Sequence, residues 1–187
     1  MRRGLIGFGL ALLSAAPAFA ALAPGAKAPE FTLPAALGGK DFTYDLASAL
    51  KTGPAVVYFY PKAFTSGCSA EAHAFAESIE TFKALGATVI GVSGDNITTL
   101  ESFSTKDCAS KFPVAADPNG EVIARYDAGL KMPGAGLLMG MKHPSDRVSY
   151  LVAPDGKVIA TYSALDASKH VSSMLEALKA WRATHKA

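Results

Sequence analysis

The chain has 187 residues, 50% of them hydrophobic and 18% charged, with a formal charge of +2. That length fits one domain with a real core, and the weak charge excludes a polybasic protein built for nucleic acid or an anionic membrane. Even the small excess is local. Residues 1–20 read MRRGLIGFGLALLSAAPAFA, with Arg2 and Arg3 ahead of an apolar run and Ala18-Phe19-Ala20 at the end. A basic start, a short apolar run and an A-x-A site are the marks of a cleavable export signal. The apolar run falls short of the roughly 20 residues a membrane span needs. The expectation is therefore a signal peptide over 1–20, a single domain over 21–187, and a periplasmic or secreted product. Without Arg2 and Arg3, the 18 basic residues become 16, against 16 acidic ones. No membrane or nucleic-acid partner is expected for that product.

Residues 21–30 are a Pro/Ala-rich lead-in. Residues 31–53 are mixed, with a Gly38-Gly39 turn signal and a possible short hairpin. AVVYFY (55–60) is β-branched and aromatic without alternation, the pattern of a strand buried on both faces. Residues 61–69 form a loop. From Ser69, Ala72, Phe75, Ala76, Ile79 and Phe82 recur at helical spacing, and Gly86 is a suitable terminator. TVIGVS (88–93) is a second buried strand, 96–109 a helix, 112–117 a short strand and 120–127 a short helix after the DPNG turn. Residues 128–146, rich in Gly, Met and Pro, read as a long loop. RVSYLVA (147–153) and KVIATYS (157–163) are strands joined by a Pro154-Asp155-Gly156 turn. A final helix over about 167–184 carries the apolar stripe Val171, Met174, Leu175, Leu178 and Trp181. The βα alternation followed by a hairpin predicts an α/β fold with a mixed central sheet flanked by helices.

The two cysteines are Cys68 and Cys108. In an exported protein such a pair is first suspected of being a structural disulfide. Neither has a partner at zinc-ligand spacing. Cys68 follows a buried strand and opens a helix, a junction where α/β proteins bind ligands. The free N–H groups and partial positive charge of a helix start favour a thiolate there, and the thiolate is the nucleophile.

Pro61, Thr65 and Cys68 spell P-x-x-x-T-x-x-C, and YPKAFTSGCSAEA (60–72) resembles the active-site segment of the peroxiredoxins, in the peroxiredoxin Q / bacterioferritin comigratory protein branch. DPNGEVIARYD and RVSYLVAPDGKV extend the resemblance over roughly 24–180. It implies a thioredoxin-like fold and a thiol-dependent peroxidase that needs no cofactor. In that reading Cys68 attacks hydrogen peroxide or an organic hydroperoxide. Thr65 offers a hydroxyl to sulfur and peroxide. Arg147 supplies a fixed positive charge. Pro61 shapes the loop and shields the sulfur from water, the N–H groups around Gly67 and Cys68 face the peroxide oxygens, and Glu71 orients Arg147. The plainer reading makes Thr65 a turn residue and Arg147 a surface charge.

Two departures matter. Phe64 replaces a short polar residue, which makes the pocket mouth more apolar. His73 occupies the place, five residues on, where many of the branch carry a resolving cysteine. Cys108 is the remaining thiol, and the resemblance implies that it resolves the Cys68 sulfenic acid as a transient intramolecular disulfide. A thioredoxin-like protein or another delivered thiol then reduces it. The protein is expected to be a monomer or weak dimer. One alternative is a thiol–disulfide oxidoreductase, opposed by Glu71 where a Cys-x-x-Cys would carry its second cysteine. Another is a copper-binding module using Met139, Met141 and His143, with Met132 nearby. His73, His170 and His185 read as solvated helix residues.

Overall fold

The computed structural model describes residues 21–185, so the expected signal peptide lies outside the described residues. A hairpin comes first, β1 (Thr32–Leu37) and β2 (Lys40–Asp45). Its two-residue loop is Gly38-Gly39, both at positive φ (58° and 79°), the backbone that a tight hairpin of the native twist requires. A short helix α1 (Leu46–Leu50) follows, capped by the Asp45 side chain. The mixed segment 31–53 is thus a hairpin and a helical turn.

Next come β3 (Ala55–Phe59), α2 (Ser66–Ala84), β4 (Thr88–Ser93), α3 (Ile97–Lys106) and β5 (Val114–Ala116). The short helices α4 (Glu121–Arg125) and α5 (Ala135–Met139), the strands β6 (Val148–Val152) and β7 (Val158–Ser163), and α6 (His170–Thr184) complete the chain. A 3-10 turn, Ala167–Lys169, leads into α6. Gly86 ends α2 at φ 67°, and the Ala87 N–H reaches back to the Phe82 carbonyl. That closes the helix as the glycine foretold.

Among the described residues, seven strands form one sheet in the order β2-β1-β5-β4-β3-β6-β7. β3, β4 and β5 run parallel; β6 pairs antiparallel with β3, β7 with β6, and β1 with β5. Each sheet face carries its own core, because strand side chains alternate. Val56, Tyr58 and Tyr60 meet α2, α3 and α6; Ala55, Val57 and Phe59 meet the layer containing Leu46, Val122, Ile123 and Tyr126. Burial on both faces explains the continuous apolar run in β3.

Two expectations need correction. Helix α2 starts at Ser66, three residues before Ser69, and its first turn is closed by the Ser69 N–H on the Thr65 carbonyl at 2.9 Å. Ser66 and Gly67 are poor helix formers, so local propensity reads them as loop, yet they lie inside the turn that this hydrogen bond closes. The long loop 128–146 contains α5, opened and closed by Gly134 and Gly140 at positive φ. Among the described residues, no helix is long and apolar enough to cross a membrane.

Candidate active site

The first turn of α2 sits beyond the C-terminal end of β3. The connecting loop is held from three sides. The Ser145 hydroxyl donates to the Tyr60 carbonyl at 2.7 Å. The Asp95 carboxylate accepts from the Ala63 N–H at 2.7 Å and from the Ser93 hydroxyl at 2.9 Å. The Lys62 ammonium donates to the Met139 carbonyl. Pro61 is buried at the bend. Phe64 takes a left-handed conformation, φ 63°, and its ring meets Phe103 edge-on at 5.2 Å.

Cys68, third in α2, is buried and free. Arg147 comes to it from the sheet. Leu151 belongs to the core on the α2 side, whereas Val148, Tyr150 and Val152 belong to the opposite one. Arg147 and Ser149 share the parity of Leu151, so they project toward α2. The pairing of Phe59 with Val148 puts Arg147 level with the end of β3. The guanidinium Nη2 then lies 3.4 Å from Cys68 Sγ, Nη1 donates to Glu71 Oε2, and Nε donates to the Leu165 carbonyl at 2.9 Å. Three separate contacts from one planar fork fix both position and orientation. Gly67 makes room for it, since a methyl group there would lie 3.2 Å from Nη2.

Glu71 is wholly buried. Burial pushes its carboxyl up to about 7, while Arg147 pulls the other way. Its second oxygen, Oε1, lies 3.5 Å from His170 Nδ1 and has no hydrogen-bond partner. His170 is also wholly buried, against the expectation of a solvated residue. The 3-10 turn before α6 tips its ring inward, onto Tyr162, Ser149 and the Ala164 carbonyl. His73 is more than half exposed, 3.7 Å from Asp107, and His185 is exposed beside Trp181.

Thr65 departs from its expected contact. Its hydroxyl donates to the Lys62 carbonyl at 3.0 Å rather than to the sulfur. That use of its hydrogen leaves its lone pairs available to accept from another donor. Cys108 is free and buried just past α3. Burial pushes its thiol well above the ordinary range. It belongs to the same core cluster as Cys68, Tyr58 and Tyr60. The next two residues, Ala109 and Ser110, both take left-handed backbone at φ 49° and 57°.

The residues considered for copper make other contacts. The Met141 sulfur faces Gly94, the His143 ring packs at Gly120, and Met139 engages Lys62 through its carbonyl. Among the described residues, no three His, Cys, Asp or Glu side chains group as a metal site.

The sheet order and flanking helices are those of thioredoxin-like proteins, and the solved structures that resemble this one carry that fold. The crystal structure of peroxidoxin BcpB from Mycobacterium tuberculosis superposes with a TM-score of 0.73 at 26% identity, covering 84% of this chain and 96% of that one. Peroxiredoxin Q from Xanthomonas campestris gives 0.67 at 28% identity, covering 79% and 90%. In sequence, peroxiredoxin Bcp from Xanthomonas campestris is 30% identical over 154 residues, covering 82% of this chain and 92% of its own length. Rice chloroplastic peroxiredoxin Q (Oryza sativa subsp. japonica) is 34% identical over 156 residues, 83% of this chain and 66% of its own. Residues 24–161 match the AhpC/TSA family. The chain belongs to that family, among relatives that are peroxiredoxins of the Q and Bcp kind. This likeness favours neither the copper module nor the thiol–disulfide oxidoreductase.

Proposed function

We propose that this thiol-dependent peroxidase reduces hydrogen peroxide and organic hydroperoxides through Cys68. The observation that carries the assignment is the Arg147 guanidinium 3.4 Å from Cys68 Sγ, at the start of α2. In the first step the thiolate attacks one peroxide oxygen. An S–O bond forms and the O–O bond breaks; sulfur is oxidised to the sulfenic acid, and the leaving alkoxide or hydroxide takes a proton. Arg147 stabilises the thiolate before the step and the developing oxyanion during it, because its charge is already in place. Thr65 accepts from the peroxide O–H, and Pro61 keeps the sulfur's pocket closed to water.

In the second step the Cys108 thiol attacks the Cys68 sulfenic acid, giving a disulfide and water. A thioredoxin-like dithiol then reduces the disulfide and is itself oxidised. Support comes from the shared core cluster and from the strained backbone beside Cys108. Each left-handed non-glycine residue costs about 1–2 kcal/mol, so release of Ala109 and Ser110 lowers the cost of exposing Cys108. Likeness to the bacterioferritin comigratory protein of Xanthomonas campestris, a structure described for its alkyl peroxide reduction activity, supports organic hydroperoxides as substrates. The basic start, apolar run and A-x-A site of residues 1–20 support export, and with it a periplasmic or secreted place of action as a monomer or weak dimer. Mass spectrometry of the protein after one equivalent of peroxide tests the second step. The reading requires a Cys68–Cys108 disulfide; a lasting sulfenic or sulfinic acid on Cys68 without it contradicts that step.

A further inference from the structure

Behind Arg147 lies a buried pair that the peroxide reaction itself does not use. His170 Nε2 is 2.9 Å from the Ala164 carbonyl, which can only accept, so Nε2 carries a hydrogen. If the ring is neutral, Nδ1 is then a lone pair. It faces the Ser149 hydroxyl at 2.8 Å and Glu71 Oε1 at 3.5 Å. The Ser149 hydroxyl can donate to that lone pair, but Glu71 Oε1 still faces it with no donor of its own, and a lone pair facing a carboxylate oxygen out of water is repulsive. The conflict disappears when one proton is present, either on Glu71 Oε1 pointing at Nδ1 or on Nδ1 pointing at Oε1. In both arrangements Oε1, otherwise a buried oxygen without a partner, is satisfied.

The presence of that proton decides what Arg147 offers the sulfur. With the proton held, the Glu71–His170 pair is neutral as a whole. Arg147 and a Cys68 thiolate then form a balanced buried couple. Without the proton, the pair carries a negative charge that competes with the thiolate for the same guanidinium. We propose that His170 is a positioning residue for Cys68: with Glu71 it holds one proton, and that proton keeps the charge of Arg147 available to the sulfur. The other groups facing His170 allow this. Arg147 repels a charged imidazole, Asp166 and Asp146 attract it, and the Tyr162 ring packs edge-on at 4.8 Å. Burial raises Glu71 and lowers His170, both in the direction of Glu71 keeping the proton at neutral pH.

The inference rests on Cys68 being the reactive thiolate, so its test uses no peroxide. The rate of Cys68 alkylation by iodoacetamide is followed against pH in reduced protein carrying Cys108→Ser. His170→Asn supplies an amide that can donate to the Glu71 carboxylate but holds no extra proton. Alkylation near pH 7 is expected to slow about tenfold, as one added like charge does to a nearby acid. Adding Glu71→Gln, which removes the charge and keeps the shape, is expected to restore it to within about twofold of the starting protein. A purely structural histidine gives no such rescue. Unchanged alkylation in His170→Asn, or no rescue by Glu71→Gln, overturns the proposal. If His170→Asn does not fold, nuclear magnetic resonance of the unsubstituted pair decides. The His170 nitrogens and the Glu71 carboxyl carbon must report one shared proton leaving together, and two independent titrations overturn the proposal. Peroxidase activity surviving Cys68→Ser contradicts instead the reading of Cys68 as the thiolate that attacks peroxide.

Discussion

Arg147 approaches Cys68 through Nη2 alone, at 3.4 Å, because its other two nitrogens are already committed to Glu71 and the Leu165 carbonyl. The sulfur therefore meets a guanidinium that cannot swing away. Lysine offers a point charge on a flexible stem and cannot make the three contacts together. Arg147→Lys is expected to slow the reaction of reduced protein with hydrogen peroxide by about 10²–10³-fold, the cost of losing a preorganised charge partner. Stopped-flow measurement of the first step checks this; a loss below threefold contradicts the assigned role.

Stability carries a pH signature from Glu71. Its carboxyl is raised from 4.5 to about 7 by burial, so the native state binds the proton more tightly than the unfolded chain. That contribution is fully present below pH 4.5 and is lost as pH rises through about 7. The full shift corresponds to about 3 kcal/mol. Urea unfolding near pH 5 and pH 8 should show wild type losing stability over that interval relative to Glu71→Gln. Parallel pH dependence of the two proteins contradicts the buried assignment.

Asp95 holds the loop before Cys68 by accepting from the Ala63 N–H and the Ser93 hydroxyl. Asp95→Ala leaves both buried donors without a partner, at a cost of about 1–3 kcal/mol. Chemical denaturation reads that loss directly. The first step should also slow, since Thr65 and Pro61 ride on the same loop. Unchanged stability with unchanged rate contradicts the pinning role.

Ala109 and Ser110 are expected to store the strain that opens the Cys108 segment. Ala109→Gly with Ser110→Gly removes the steric penalty in the folded state. The segment should then open less readily, and the Cys68–Cys108 disulfide should form several-fold more slowly after oxidation. Rapid quenching followed by mass spectrometry times that step, and faster disulfide formation contradicts the account.

The parts of this structure set by local chemistry were legible in the sequence. The AVVYFY run declared a strand buried on both faces, Gly38-Gly39 a tight hairpin and Gly86 a helix end. Cys68 stood out because its position, strand to helix, is local. The hidden parts depend on contacts across the sheet. Asp95 carries no local mark, and its Ala63 partner lies 32 positions away. His170 looks like any polar residue on a helix until the 3-10 turn tips it toward Ser149 and Glu71. The first turn of α2 is hidden as well: Ser66 and Gly67 have loop-like propensity, yet the Ser69 N–H on the Thr65 carbonyl closes a helical turn around them. Resemblance located Arg147, and strand parity gave the physical reason that it points at the sulfur. For Thr65, the motif gave the residue but not its hydrogen-bond partner, the Lys62 carbonyl.

The most direct test of the central claim is a single-turnover peroxide assay on reduced Cys68→Ser beside reduced Cys108→Ser. The account predicts that Cys68→Ser consumes no peroxide above the uncatalysed rate. It also predicts that Cys108→Ser consumes one equivalent at nearly the wild-type rate and then stops at the sulfenic acid unless an external thiol is added. Stoichiometric peroxide reduction by Cys68→Ser would contradict the assignment of Cys68 as the attacking thiolate.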